Sequence, residues 1–388
     1  MKVEHQIRAF EQILASYDGL LPLHRFLVSY FKRNKKMGSS DRRWANRYIY
    51  SFFRLGKAID NENTLNRLAV ADFICSTTSS LVIEAYLPQF MEQVNLPVNA
   101  KIILVKDLYP GFKTSDVFSY DPSLLSDGID KDAFYESFFT QPDLFIRVQK
   151  NHSLKLLTTL KEHGVAAHDI SETTFAMPNG TKLETIFPQQ KYYQVQDLSS
   201  QKTGNYFQPQ QYDYWWDCCA ASGGKSLLLH ELEPSIQLLV SDVRENSLHN
   251  LDERFQLAGL KKYQKKVLDL LLNNEQELHH YAFDGIILDA PCSGSGTWGR
   301  TPETLRYFDV KKIGYFQKLQ KSIAVNVLEY LKPGKPLIYI TCSVFKKENE
   351  DVITYLQQEH QLKLESMEVI KGYKDKADTM FVARLLKI

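Results

Sequence analysis

Cysteine is scarce in this 388-residue chain: there are five, an odd number, and no two form a C-x-x-C pair. Such a set argues against a disulfide framework and against a structural zinc site, so no metal is expected. No apolar stretch approaches the roughly 20 residues that a membrane helix requires, so no spanning segment is expected either. The opening Met1-Lys2-Val3-Glu4-His5-Gln6 starts a polar helical pattern without the apolar run of a signal peptide, which leads to the expectation of a cytoplasmic protein. Internal repeats and low-complexity segments are lacking. Net charge is nearly lacking as well, with 47 Lys plus Arg against 46 Asp plus Glu, and that balance argues at first against a nucleic-acid partner. What is present suffices for ordinary cores: 44% of residues are hydrophobic and 24% charged. At about 150 residues per domain, the length suggests two or three domains.

The charge balance is an average of two opposed regions. Between His24 and Lys57 there are ten basic residues: Arg25, Lys32, Arg33, Lys35, Lys36, Arg42, Arg43, Arg47, Arg54 and Lys57. Only Asp41 opposes them, so this window carries +9 and the remainder of the chain −8. Phe26, Tyr30, Phe31, Trp44, Tyr48, Tyr50, Phe52 and Phe53 are threaded through it. One reading is a pair of amphipathic helices with a solvated basic face; the sharper one is an electrostatic footprint for phosphates.

Residues 1–138 read as an all-helical domain, with apolar residues at three- and four-residue spacing (Ile7, Phe10, Ile13, Leu14; Ile49, Phe52, Phe53) and a helix start at Ser40-Asp41. Residues 139–204 change character: a strand at 144–148, a helical run to about 163, short strands and an Asn179-Gly180 turn predict a small α+β module. From 205 to 388 strand and helix alternate, with strands predicted at 212–218, 236–241, 265–269, 283–289 and 337–341 and a closing pair at 363–369 and 380–386. The fold class is therefore α/β, with a Rossmann-like parallel sheet that binds ligands at the carboxyl ends of its strands.

Four predicted strands end in acids, Asp217, Asp242, Asp269 and Asp289, which gathers carboxylates about one crevice. After the first strand comes Asp217-Cys218-Cys219-Ala220-Ala221-Ser222-Gly223-Gly224-Lys225-Ser226 and then an apolar helix. Gly224-Lys225-Ser226 resembles the end of a P-loop, but the glycine required five positions before Gly224 is Cys219. A G-x-G-x-x-G fingerprint is also absent. A Gly-Gly turn followed 18 positions later by Asp242, suited to ribose hydroxyls, fits an adenosine with little or no phosphate, as in S-adenosylmethionine. Asp269 is expected near the adenine. Cys292 and Cys342 stand at two neighbouring strand ends in Asp289-Ala290-Pro291-Cys292-Ser293-Gly294-Ser295-Gly296 and Thr341-Cys342-Ser343. A cysteine thiolate is a strong nucleophile, and the weakly nucleophilic C5 of cytosine needs thiolate addition at C6 before it can attack a methyl group. Cys75 and Cys218 read as buried hydrophobes.

These motifs resemble the Sun (Fmu, RsmB-type) family of RNA cytosine-C5 methyltransferases. D-x-C-A-A-P-G-G-K-T is matched by Asp217 to Ser226, with Ser222 for Pro and Ser226 for Thr; D-A-P-C-S-G-x-G is matched throughout by Asp289 to Gly296. Gly299-Arg300-Thr301-Pro302-Glu303 is similar to R-R-x-P-[DE], and Glu348-Asn349-Glu350 follows T-C-S as in the family. Val195-Gln196-Asp197-Leu198-Ser199-Ser200-Gln201 is similar to the V-Q-D-x-S-S-Q lead-in. The resemblance implies Cys342 as the thiolate that attacks C6, Cys292 as the cysteine that assists release, and Asp289 as the carboxylate at the base. It implies cofactor contacts from Cys219, Ala220, Ala221, Ser222, Gly223, Gly224, Lys225, Asp242, Asp269 and Asp289, with Ser222 loosening a turn that Pro would stiffen. The segment Ser40-Asp41-Arg42-Arg43 through Gly56 is similar to part of a NusB-like domain, which implies small-subunit ribosomal RNA as substrate; the basic stretch itself leads to expected RNA contacts from Arg25, Lys32, Arg33, Lys35, Lys36, Arg42, Arg43 and Arg47, and Arg300 joins them through its own motif. The expected cofactor is S-adenosylmethionine and the expected partner RNA, small-subunit ribosomal RNA ahead of transfer RNA, bound by a monomer without metal or membrane. DNA cytosine methylation, a P-loop NTPase and a non-catalytic RNA-binding factor are the alternatives.

Overall fold

A computed structural model describes residues 3–189 and 191–388. Met1 and Lys2, part of the polar opening, lie outside the described residues. No helix among the described residues is long and apolar enough to cross a membrane. The chain divides into two compact units: 1–123 with 130–142 and 297–310, and 124–129 with 143–296 and 311–388.

The first unit is helical. Its leading helices are α1 (Val3–Ser16), α2 (Leu23–Arg33), α3 (Ser39–Arg54) and α4 (Thr64–Cys75). The three- and four-residue apolar spacing buries Ile7, Phe10 and Ile13 of α1 against Ile49, Phe52 and Phe53 of α3, with Phe10 and Phe52 edge to face at 5.3 Å. α3 begins at Ser39, and Asp41 in its first turn accepts the Gly38 N–H at 2.9 Å. Asn63 caps α4, accepting the N–H groups of Leu65 and Asn66 at 3.0 and 2.9 Å. The segment 297–310 packs with these helices because Glu303 accepts the Leu23 N–H at 2.9 Å, supplying the N-terminal cap that Pro22 lacks, while Tyr307 meets Tyr17 edge to face. Arg300 therefore belongs to the helical unit, although its motif follows directly on Gly296 in sequence.

The second unit holds two sheets. The smaller is antiparallel, order β2-β3-β1-β4, made of β1 (Leu144–Val148), β2 (His168–Ser171), β3 (Thr174–Met177) and β4 (Tyr193–Val195). The helix Ser153–Glu162 buries Leu156 and Leu160 in its core. The larger sheet has the order β10-β11-β9-β8-β5-β6-β7, from β5 (Tyr214–Asp217), β6 (Gln237–Asp242), β7 (Gln264–Val267), β8 (Gly285–Asp289), β9 (Pro336–Thr341), β10 (Leu362–Ile370) and β11 (Met380–Lys387). β7, β6, β5, β8 and β9 run parallel, and β11 is antiparallel to β9. Strands such as Ile286-Ile287-Leu288 are buried on both faces, as continuous apolar runs in a parallel sheet require. The order reverses at β5, so its carboxyl end opens the crevice of the doubly wound fold. This is the α/β, Rossmann-like architecture expected from the strand–helix alternation, and it agrees with the class I methyltransferase fold that the family resemblance implies.

The candidate active site

Three of the four expected acids end their strands: Asp217 ends β5, Asp242 β6 and Asp289 β8. Asp269 does not. β7 stops at Val267, and Asp269 lies exposed two residues beyond it, accepting the Leu271 N–H at 3.0 Å within its own turn.

The turn after β5 is held by its neighbours. Ala220 donates its N–H to Ser241 O at 2.9 Å, and Ala221 donates to Asp242 Oδ2 at 2.9 Å. Ala221 and Gly223 both adopt left-handed backbone, with φ of 47° and 77°. A Cβ on Gly223 would come within 2.4 Å of the Phe255 ring, so glycine is required there twice over. The helix Gly224–Leu232 follows, with Lys225 in its first turn. Lys225 Nζ donates to Asp289 Oδ2 at 2.7 Å, and although burial opposes its charge, the Asp289 and Asp217 carboxyls raise the ammonium's pKa. Burial pushes the Asp217 carboxyl up to about 7, against a 2.6 Å hydrogen bond from Ser226 Oγ; its Oδ1 has no partner among the described residues. For Asp242, burial is outweighed by hydrogen bonds from Arg244 and the Ala221 N–H, which hold it below the usual carboxylate range.

A raised carboxyl is still protonated in the fold at a pH where the unfolded chain has ionised. Asp217 thus contributes stability that is complete below about 4, declines through the interval and is gone above about 7. Asp217→Asn is expected to flatten the fall in Tm across roughly pH 4 to 7; an undiminished slope in calorimetric scans would count against this assignment.

Ser222, which stands where the family motif has proline, is not loose. Arg254 of the helix Glu245–Ala258 donates through Nη1 to Ser222 Oγ at 2.8 Å and to Ser222 O at 3.1 Å, and its Nη2 donates to Gln194 Oε1 at 3.0 Å. A guanidinium clamp supplies the rigidity that a ring would otherwise give. Arg254→Ala is therefore expected to weaken S-adenosylmethionine binding about three- to tenfold, and adding Ser222→Pro is expected to recover part of that loss. Calorimetric titration of the two variants checks it; a proline without effect in the Arg254→Ala background would refute the clamp.

At the next two strand ends the cysteines meet. Cys292 Sγ and Cys342 Sγ are 3.3 Å apart, and both residues are half-buried. Hydrogen bonding to Cys342, burial and the charge of Glu348 hold the Cys292 thiol well above its ordinary pKa. Their loops are joined through Glu348, which is fully buried. Its Oε2 accepts from the Ser293 N–H at 2.8 Å and Gln320 Nε2 at 3.2 Å, and its Oε1 accepts from Ser343 Oγ at 3.0 Å. Tyr339 donates its hydroxyl to Glu348 O at 2.7 Å, and Asn349 Nδ2 donates to Ser343 O and to Ser126 Oγ. Gly296 donates to Cys342 O at 2.8 Å, and a Cβ there would stand 1.9 Å from Thr379 O. Cys218, by contrast, is buried beside Ile287, as its reading as a small hydrophobe anticipates.

The family model described as 16S rRNA methyltransferase RsmB/F matches residues 205–386, which contain the turn after β5, Asp242, Asp289, Cys292 and Cys342. Residues 205–386 are thus similar to an RsmB/F methyltransferase domain. Among curated relatives, ribosomal RNA small subunit methyltransferase B of Enterobacter sp. (strain 638) is 30% identical over 281 residues, covering 66% of this chain and 62% of that protein. The protein of the same name from Citrobacter koseri is 30% identical over 263 residues, 64% and 60% of the two chains. The match thus spans less than two thirds of these relatives' length. In fold, the chain is similar to the solved structure of PH0851 (TM-score 0.67, 21% identity, 99% of this chain and 98% of that one). It is also similar to a methyltransferase homolog protein from Pyrococcus horikoshii (TM-score 0.59, 23% identity, 74% and 99%).

S-adenosylmethionine is the cofactor of an RsmB/F domain, and the donor set here fits it. Asp242 ends β6 with a carboxylate that would accept ribose hydroxyls, and the Arg244 side chain that bonds it is 65% exposed, hence cheaply displaced. The turn 219–224 lacks the phosphate-binding glycine of a P-loop, as a cofactor without phosphate allows.

The sequence-marked residues Cys219 to Lys225, Asp242, Asp289, Cys292 and Cys342 gather in this one unit. The basic residues lie in the helical unit and differ in availability. Arg25, Lys32, Arg33, Lys35, Lys36 and Arg43 are exposed. Arg47 is paired with Asp72 at 2.6 Å and bonds Thr78 O at 2.7 Å, and Arg42 donates to Met37 O at 3.0 Å. Arg54, the buried member of the stretch, donates to Phe138 O at 2.8 Å and to Gln141. Arg300 is half-buried. Glu348 and Arg254 have roles that sequence reasoning missed. The E-N-E triplet marks the first, whereas nothing local marks Arg254.

Proposed function

We propose that this protein transfers a methyl group from S-adenosylmethionine to C5 of a cytosine in RNA, small-subunit ribosomal RNA in particular. The observation that carries the reading is the pair of thiols 3.3 Å apart at the ends of adjacent parallel strands, beside the Asp289–Lys225 ion pair. The names of the curated relatives support ribosomal RNA as substrate.

When bound, the cofactor supplies an electrophilic methyl group. Cys342, as thiolate, forms an Sγ–C6 bond to the cytosine, and the ring's electron pair moves toward N3. Asp289, 2.7 Å from the proton-bearing Lys225, delivers a proton to N3, leaving C5 enamine-like and able to take the methyl group. Loss of the C5 proton to a base then expels the Cys342 thiolate from C6, and return of the N3 proton to Asp289 restores the neutral aromatic ring. Cys292, kept as a thiol, is suited to assist that release as a proton carrier and unsuited to the attack. Asp242 orients the ribose of the cofactor.

Incubating the full chain with methyl-labelled S-adenosylmethionine and small-subunit ribosomal RNA tests the reading. Label is expected in RNA, not in DNA of the same sequence, and Asp242→Ala is expected to raise the KM for the cofactor at least about tenfold. Label in DNA alone, or in neither, would overturn the proposal.

A further inference from the structure

Two cations of the 24–57 stretch, Arg47 and Arg54, are engaged inside the helical unit, but others converge. Arg33 closes α2, Lys35 and Lys36 follow in the turn to α3, and Arg8, far away in sequence, comes from α1. With Tyr30 and Trp44 these four line a cavity of about 650 Å³ between the three helices. All four are exposed, and none takes part in an ion pair among the described residues. Asp41 is the acid on the wall, and its Oδ2 already accepts the Gly38 N–H.

The wall is built rather than loose. Asn34 donates through its N–H and Nδ2 to Tyr30 O at 3.0 and 2.9 Å, Met37 N–H donates to Asn34 O at 3.1 Å, and Arg42 Nε donates to Met37 O at 3.0 Å. On the α1 side, buried Gln6 accepts the Tyr48 hydroxyl at 2.7 Å, tying α1 to α3 at the cavity. The Arg47 guanidinium lies 5.1 Å from the Trp44 ring centroid and steadies the indole. A concave site of this size suits a single small ligand. Four unpaired cations call for anionic charge, and an indole beside them calls for a flat ring. A nucleotide unites the two; an acidic peptide would use the cations and leave the indole idle.

We propose that this cavity is a nucleotide subsite: it takes one unpaired nucleotide of the RNA other than the target cytosine, the phosphate against Arg33, Lys35 and Lys36 and the base against Trp44. The subsite rests on RNA being the partner. It anchors the strand through a phosphate clamp with little dependence on base identity, since every base has a ring face to stack.

Trp44 also supplies the probe. It is half-exposed, whereas Trp215, Trp216 and Trp298 are fully buried, so fluorescence quenching of the intact protein reads this cavity. A mixed-sequence single-stranded oligoribonucleotide is expected to quench the signal, and polyglutamate of equal charge to bind at least about tenfold more weakly. The triple variant Arg33→Ala, Lys35→Ala, Lys36→Ala is expected to lose at least about tenfold in RNA affinity. The slope of log affinity against log salt should fall by about two to three, with S-adenosylmethionine affinity unchanged. Because the three residues are exposed, an unaltered melting curve checks that the variant folds; Trp44→Phe should bind better than Trp44→Ala. Equal binding of polyglutamate, RNA binding without quenching, or a triple variant with wild-type affinity would each overturn the subsite. Labelled methyl transfer separates the two proposals. Methylation with an unchanged KM for RNA in the triple variant sinks the subsite alone. Quenching that responds to the triple variant, with no methylation by the wild type, upholds the subsite and sinks the methyltransferase reading.

Discussion

Cys342→Ala is expected to cut methyl transfer by at least about 10³-fold while leaving S-adenosylmethionine affinity within about twofold of wild type. The loss follows from the chemistry, because without a C6 adduct the cytosine C5 lacks the electron density to displace a methyl group. Cys292→Ala should fail differently. Cys342 remains able to attack, but the proton carrier 3.3 Å from its sulfur is gone, so release is expected to stall and a covalent protein–RNA species to accumulate. Denaturing gels with labelled RNA distinguish the two, with a shifted band for Cys292→Ala and none for Cys342→Ala or the double variant. A shifted band in Cys342→Ala would exchange the two roles. The physical ground for the present assignment is the Cys292 thiol, which its neighbour, burial and Glu348 hold protonated.

Glu348→Ala is expected to be the most destabilising single change in the site. The carboxylate receives the Ser293 N–H, the Gln320 amide and the Ser343 hydroxyl in a fully buried setting, and each donor would be left without its acceptor. Breaking a buried, hydrogen-bonded charge of this kind costs about 3–5 kcal/mol, which lowers Tm by about 6–20 °C for a unit of this size. Because Ser293 and Ser343 each adjoin a cysteine in sequence, the Cys292–Cys342 spacing should be lost as well, and activity with it. Glu348→Gln retains an acceptor oxygen and the volume but removes the charge beside Cys292. It should melt closer to wild type, and alkylation of Cys292, followed by peptide mass, should be faster than in wild type because the thiolate is no longer opposed by a neighbouring charge. An unchanged alkylation rate in Glu348→Gln would remove Glu348 from the account of Cys292.

Much of this site was legible in the sequence because its parts are local. Asp217 to Ser226 and Asp289 to Gly296 each run continuously from a strand end into a loop, and Cys342 directly follows the last residue of β9. Their convergence follows from strands that alternate with helices and so run parallel. Properties that depend on packing across the chain were not legible. Arg254 reaches Ser222 from 32 positions away, with no pattern in its own helix to announce it. Asp269 follows the apolar residues Val267 and Leu268 as a strand end would, yet β7 stops at Val267 and the acid folds into a turn. The interleaving of the two units escaped for a similar reason. The segments 124–129 and 297–310 are excursions whose membership is decided by single partners, Glu350 for Ser126 and Leu23 for Glu303. Counting basic residues located the charged stretch but gave no means of separating Arg47 and Arg54, consumed by internal partners, from Arg33, Lys35 and Lys36, which are not.

Attack at C6 followed by methylation at C5 requires that the hydrogen on C5 leave as a proton. RNA transcribed with cytidine tritiated at C5 therefore tests the account most directly. Each methyl group transferred by the full chain should release one tritium to water, and Cys342→Ala should release none. Methylation without tritium release would place the methyl group on another atom and contradict the covalent mechanism.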